Sequence, residues 1–175
     1  MKKLLILLTV LVYSVPASLF LSFTSITARG SDDSASLGAL LIPIICMLFT
    51  CALVIVNIMA AAYSAARARC LSFRVVMVFK LCLIPFYILN FLCWGLASIV
   101  FHIAIVVWPL IPFVVAYTYF TTLATSAHII AKLADLRRNK SITTKQLVGH
   151  SVWQLIFVAD TIDSIYLAKK QKKFE

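Results

Sequence analysis

Charge is what this sequence has least of. Asp, Glu, Lys and Arg make up only 13% of its 175 residues, while 63% are hydrophobic, and the mean hydropathy is +1.03. A soluble globular chain carries about a quarter charged residues. A soluble core cannot enclose so large an apolar surplus, but a bilayer accepts it. Acid is scarcer still, with 6 Asp and Glu against 16 Lys and Arg, a net charge of +10. No Asp or Glu falls inside the long apolar runs. That weighs against a proton-coupled pump, which places a carboxylate within the membrane.

Other absences exclude chemistry. Cys46, Cys51, Cys70, Cys82 and Cys93 form no CxxC pair and lie mostly in apolar runs, so they read as small buried hydrophobes and not as a disulfide or zinc framework. There is no HExxH, no catalytic Ser-His pairing and no glycine-rich phosphate loop. His102, His128 and His150 are too scattered to form one metal site. The expectation is a protein that is not an enzyme and has no cofactor or metal. The positive charge lies between apolar runs and not on one soluble face, which points to anionic lipid headgroups and away from nucleic acid.

What is present is a set of long apolar runs. Lys2 and Lys3 precede an uncharged run from Leu4 to Ala28. Its rival reading is a cleaved signal peptide, with Val15-Pro16-Ala17 as the cleavage site. RGSDDSAS over 29–36 makes a polar turn, and Leu37 to Ala66 is again uncharged. Residues 67–80 form a basic connector. Leu81 to Ala131 then holds no charge; at 1.5 Å per residue a single helix would be over twice the ~30 Å hydrocarbon core, so the run must fold back. Trp108-Pro109-Leu110-Ile111-Pro112 supplies the break.

These runs predict an all-α integral membrane protein. Its transmembrane domain, 1–131, has four helices near 4–28, 37–66, 81–103 and 111–131. A basic tail, 132–175, carries an amphipathic interfacial helix near 143–168. Val148, Val152, Leu155, Ala159, Ile162 and Tyr166 form its apolar stripe, with Gln146, His150, Gln154, Thr161 and Ser164 opposite. Trp153 and Phe157 fall on the polar side, so that face also meets protein. Ser141 or Thr143 caps the start. All Lys and Arg except Arg29 fall on one side of this arrangement, which places both termini in the cytoplasm of a cell-membrane protein. The terminal KKFE resembles a dilysine retrieval signal, so the endoplasmic-reticulum membrane is the alternative location.

The candidate intramembrane polar site is Asn57, Asn90, Thr118, Thr121, Thr125 and His128. The last four share a face of the fourth helix, and a buried amide needs a partner, so Asn90 is expected to meet that stripe. Arg67, Arg69, Arg74, Lys80, Lys169, Lys170, Lys172 and Lys173 are the predicted headgroup contacts. Asp160 and Asp163 are expected to pair with the basic tail or connector. Ser14, Ser18, Ser22 and Ser25 form a small-residue face for helix packing. The functional expectation is an accessory, assembly or immunity-type protein that works through lipid and protein contacts, including a membrane-protein partner or a second copy. The rival is a small transporter or oligomeric, holin-like pore that uses the polar stripe.

Overall fold

A computed structural model describes residues 1–29, 33–100 and 110–174. The Trp108-Pro109 break and His102 lie outside them. The described residues form helices α1 (Lys2–Arg29), α2 (Asp33–Ala66), α3 (Phe73–Val100), α4 (Leu110–Arg138), α5 (Thr144–Trp153) and α6 (Phe157–Phe174), with no strand among them. Four are long and apolar enough to cross a membrane, over Lys2–Ser22, Leu41–Ala66, Phe73–Leu92 and Val114–Arg138. A helix is the natural form for such runs, because it satisfies every backbone group internally. Pro16, Pro43 and Pro85 lie within α1, α2 and α3 without ending them.

Helix ends follow local chemistry. Ala68 and Lys140 adopt positive φ, 52° and 57°, just beyond α2 and α4. The Arg69 amide then donates to Ser64 O at 3.0 Å and the Ser141 amide to Leu136 O at 2.9 Å, satisfying carbonyls that the helix ends leave open. Arg137 and Arg138 occupy the last turn of α4, where positive charge suits the helix dipole. Thr143 caps α5 in a reciprocal capping box with Gln146.

The spans make a four-cornered bundle in which α1 packs on α2 and α3, and α4 packs on α2 and α3. Leu5, Leu8, Val12, Val54, Leu83 and Ile129 are in the core, so α1 is built into the bundle from its first turns. Phe86 is the aromatic hub, with its ring 5.9 Å from that of Tyr13 on α1 and 6.5 Å from that of Tyr117 on α4, both edge-on. The start of α1, the end of α2, the start of α3 and the end of α4 lie at one end, the basic end. The Asn57 amide reaching Leu4 O at 3.5 Å and the Arg138 guanidinium reaching Ala66 O at 3.5 Å mark it.

Three elements differ from the sequence reading. α3 begins at Phe73, not near 81, so Lys80 lies inside a span. α4 continues past 131 to Arg138, because Leu133, Asp135 and Leu136 are buried there. The single amphipathic helix expected over 143–168 is two helices with a turn at 154–156. α5 and α6 form a hairpin, with α6 lying mainly along α3 and α5 against α4. The Arg74 amide donates to Gln171 Oε1 at 3.4 Å near the basic end, while Lys80 meets Asp160 further in, so α6 runs antiparallel to α3.

Candidate functional site

Lys80 is the residue that organises the site. It is only 3% exposed, far from the headgroup contact its sequence position suggests. A buried ammonium is costly unless each of its three donors finds an acceptor. All three do: the Asp160 carboxylate, Gln154 Oε1 at 2.7 Å and Ser126 Oγ at 3.3 Å. These partners come from α6, the α5–α6 turn and α4, so one side chain of α3 ties together every element at this corner.

The network extends outward from there. Ser126 Oγ lies 3.0 Å from Asp160 Oδ1, and Ser164 Oγ donates to Asp160 O at 2.6 Å. The Gln154 amide donates to Asp163 Oδ2 at 2.7 Å, and Asp163 Oδ1 lies 2.6 Å from His150 Nδ1. Gln154 therefore joins the Lys80–Asp160 ion pair to the His150–Asp163 contact. Only His150 reaches toward the surface, its ring stacked at 5.9 Å on Tyr166. Burial pushes the Asp160 carboxyl above its ordinary pKa, and the neighbouring Lys80 charge pulls the other way. The pairing of Asp160 with the basic 67–80 segment is the one that the sequence anticipates.

The polar stripe of α4 faces inward. Thr121, Thr125 and His128 are buried. The Asn90 amide donates to Thr118 Oγ1 at 2.8 Å, as the sequence predicts, and Thr122 Oγ1 pairs with Tyr87 Oη at 3.0 Å. Thr121 and Thr125 hydroxyls instead bond back to carbonyls of their own helix. His128 is buried with neither ring nitrogen hydrogen-bonded. Asn57 belongs to a different contact, donating to Leu53 O at 2.9 Å and facing α1. The six candidates thus do not form one site: Asn90 and Thr118 meet through their side chains, Thr121, Thr125 and His128 are buried without bonding to either side chain, and Asn57 stands apart.

Of the predicted headgroup contacts, Arg67, Arg69, Arg74, Lys169 and Lys170 are exposed. Arg67 lies over the Tyr63 ring at 4.6 Å and Lys170 over Tyr166 at 4.3 Å. The side chains of Lys172 and Lys173 lie outside the described ones. Asp135, Asp160 and Asp163 are all buried, so every exposed charge at the basic end is positive among the described residues. Sequence reasoning missed Ser126, Gln154 and Lys80 as a cluster. Its one signal was a lysine seven residues beyond Phe73 with only apolar residues on either side, FKLCL.

Comparison with curated proteins finds no match, and neither does comparison with solved structures. A family of unknown function, DUF6652, matches over residues 1–173, and the chain belongs to that family.

Proposed function

We propose that this chain is a multi-pass cell-membrane protein without a reaction of its own, acting as an accessory, assembly or immunity-type component through lipid and protein contacts. The observation that carries this reading is the pairing of the α4 stripe hydroxyls and of Lys80 within the bundle. Stripe hydroxyls bond to their own helix or to facing side chains, and the Lys80 ammonium is fully occupied by its three neighbours. Outward, α2 and α3 present Ile42, Leu48, Phe49, Met59, Leu89 and Phe91, all exposed and apolar. Exposed cations rim the basic end, as suits an anionic cytoplasmic leaflet.

A second reading, a small transporter or oligomeric pore, is favoured by one observation: Asp160 and Asp163 add two buried carboxylates to Asp135, the one buried in a candidate span among the described residues. Liposomes holding the purified protein separate the two. The contact reading expects no proton or potassium flux above empty vesicles. It also expects Asn90→Leu to cost only about 1 kcal/mol of stability in detergent, since hydrogen bonds within membranes are individually weak. A flux that collapses in a stable Asn90→Leu protein would establish the transport reading instead.

The orientation has its own test. With both termini cytoplasmic, an impermeant thiol probe applied to intact cells labels a cysteine placed at Ser34 and misses one placed at Asn139. Labelling of position 139 from outside contradicts that orientation.

A further inference from the structure

The α5–α6 hairpin has its polarity turned inside out relative to a soluble helical hairpin. Its polar residues Gln154, Asp160, Asp163 and Ser164 are buried; Gln154 and Asp160 meet Lys80 of α3 and Asp160 meets Ser126 of α4, while Asp163 and Ser164 bond within the hairpin. Its large apolar residues are exposed: Val148, Val152, Trp153, Leu155, Ile156 and Ile162, with Trp153 at 53% and Ile156 at 54%. In water this arrangement leaves a contiguous apolar ridge uncovered, which soluble proteins avoid.

The position of the turn along the bundle identifies what covers that ridge. The turn is held at Lys80 by Gln154, and at Tyr119, whose hydroxyl donates to Leu155 O at 3.0 Å, while Asp160 just beyond the turn meets Ser126 Oγ at 3.0 Å. Lys80 stands about 9 Å along α3 from Arg74, and Ser126 about 9 Å along α4 from Lys132, at 1.5 Å per residue. Arg74 and Lys132 are the cations nearest this level on the basic side of each span, so two helices give the same depth independently. Tyr119 is deeper again, by roughly 10 Å. α5 has 10 residues and spans only about 15 Å, half of a ~30 Å hydrocarbon core, so the hairpin enters and returns on the same side. Its outer ends carry exposed cations, Lys145 at the start of α5 and Lys169 and Lys170 near the end of α6. Those side chains are placed to meet anionic headgroups while the turn lies deeper.

We propose that α5 and α6 form a re-entrant hairpin whose turn, Val152 to Ile156, is embedded among the acyl chains of the leaflet at the basic end. Acyl chains are its partner, and Lys80 is the anchor that holds its polar face against the bundle. Non-spanning backbone at membrane depth requires its polar groups to be satisfied by protein; here the Gln154, Leu155 and Ile156 amides donate to His150 O, Val152 O and Trp153 O, and Leu155 O accepts from Tyr119. The inference rests on α1–α4 being spans.

Tryptophan quenching in lipid nanodiscs, which leave both faces open to solutes, tests the depth. The difference in emission between the native chain and Trp153→Phe reports Trp153 alone. Phe91→Trp reports a site on the outward face of α3, where Phe91 is 78% exposed. Lipids brominated part-way along their acyl chains are expected to quench the Trp153 component, and aqueous iodide to leave it unchanged. Quenching of Trp153 by iodide and not by brominated lipid, while Phe91→Trp is quenched by lipid, overturns the re-entrant hairpin and leaves the spans standing. Iodide quenching at both positions overturns the spans and the hairpin together.

Discussion

Lys80→Met and Asp160→Asn are each expected to destabilise the attachment of α5 and α6 to the bundle by about 3–5 kcal/mol, with the double variant losing much less than the sum of the two. The reason lies in what each leaves behind. Asp160→Asn leaves a buried ammonium with only the neutral acceptors Gln154 Oε1 and Ser126 Oγ. Lys80→Met leaves a buried carboxylate with the Ser126 hydroxyl close by and no countercharge in contact. Removing both charges removes both desolvation penalties, so the pair is coupled by up to about 3 kcal/mol, as contacting residues are. Unfolding of the three variants in mixed detergent micelles gives the cycle. Additive losses would show that Lys80 and Asp160 do not meet.

The second large effect concerns the hairpin alone. Asp160→Asn is expected to release α5 and α6 from the bundle before it disturbs α1–α4. The core of the spans, around Phe86 and the Leu5, Leu8 and Val12 face of α1, makes no use of the hairpin's polar groups. The hairpin in contrast has few buried apolar side chains of its own: Leu167 and Ala168 are in the core, and α5 has no buried residue. With so little packing, its attachment depends on the Lys80 network and the Tyr119 and Gln171 hydrogen bonds. Elements held by few buried contacts open at lower free energy than the global transition.

The four long apolar helices were legible because a charge-free run of that length satisfies its backbone internally only as a helix. That the 81–131 run holds two helices was legible from its length, since one helix of 51 residues would be over twice the hydrocarbon core. Asn90 meeting Thr118 was legible as well, since a buried amide and a facing hydroxyl stripe leave little choice. Lys80 was not. A lysine beside an apolar run looks like the end of a connector, and only a carboxylate 80 residues away in sequence makes its burial tolerable. Pairing at that separation leaves no periodic trace. The depth of the C-terminal segment was hidden for a similar reason. An apolar stripe opposite a polar one has the same pattern whether the helix rests on a membrane surface or dips into it. What decides is that Gln154 and Asp160 find partners inside the bundle, on α3 and α4. The turn at 154–156 was likewise invisible, because no glycine or proline marks it.

Hydrogen exchange over residues 144–171, in the native chain and in Asp160→Asn in nanodiscs, tests the attachment of the hairpin most directly. With the Lys80 network intact, amides of α6 exchange as slowly as those of α3, and Asp160→Asn speeds exchange in α5 and α6 by several orders of magnitude while α1–α4 keep their protection. Fast exchange of α6 in the native chain, or equal exchange in both proteins, would contradict it.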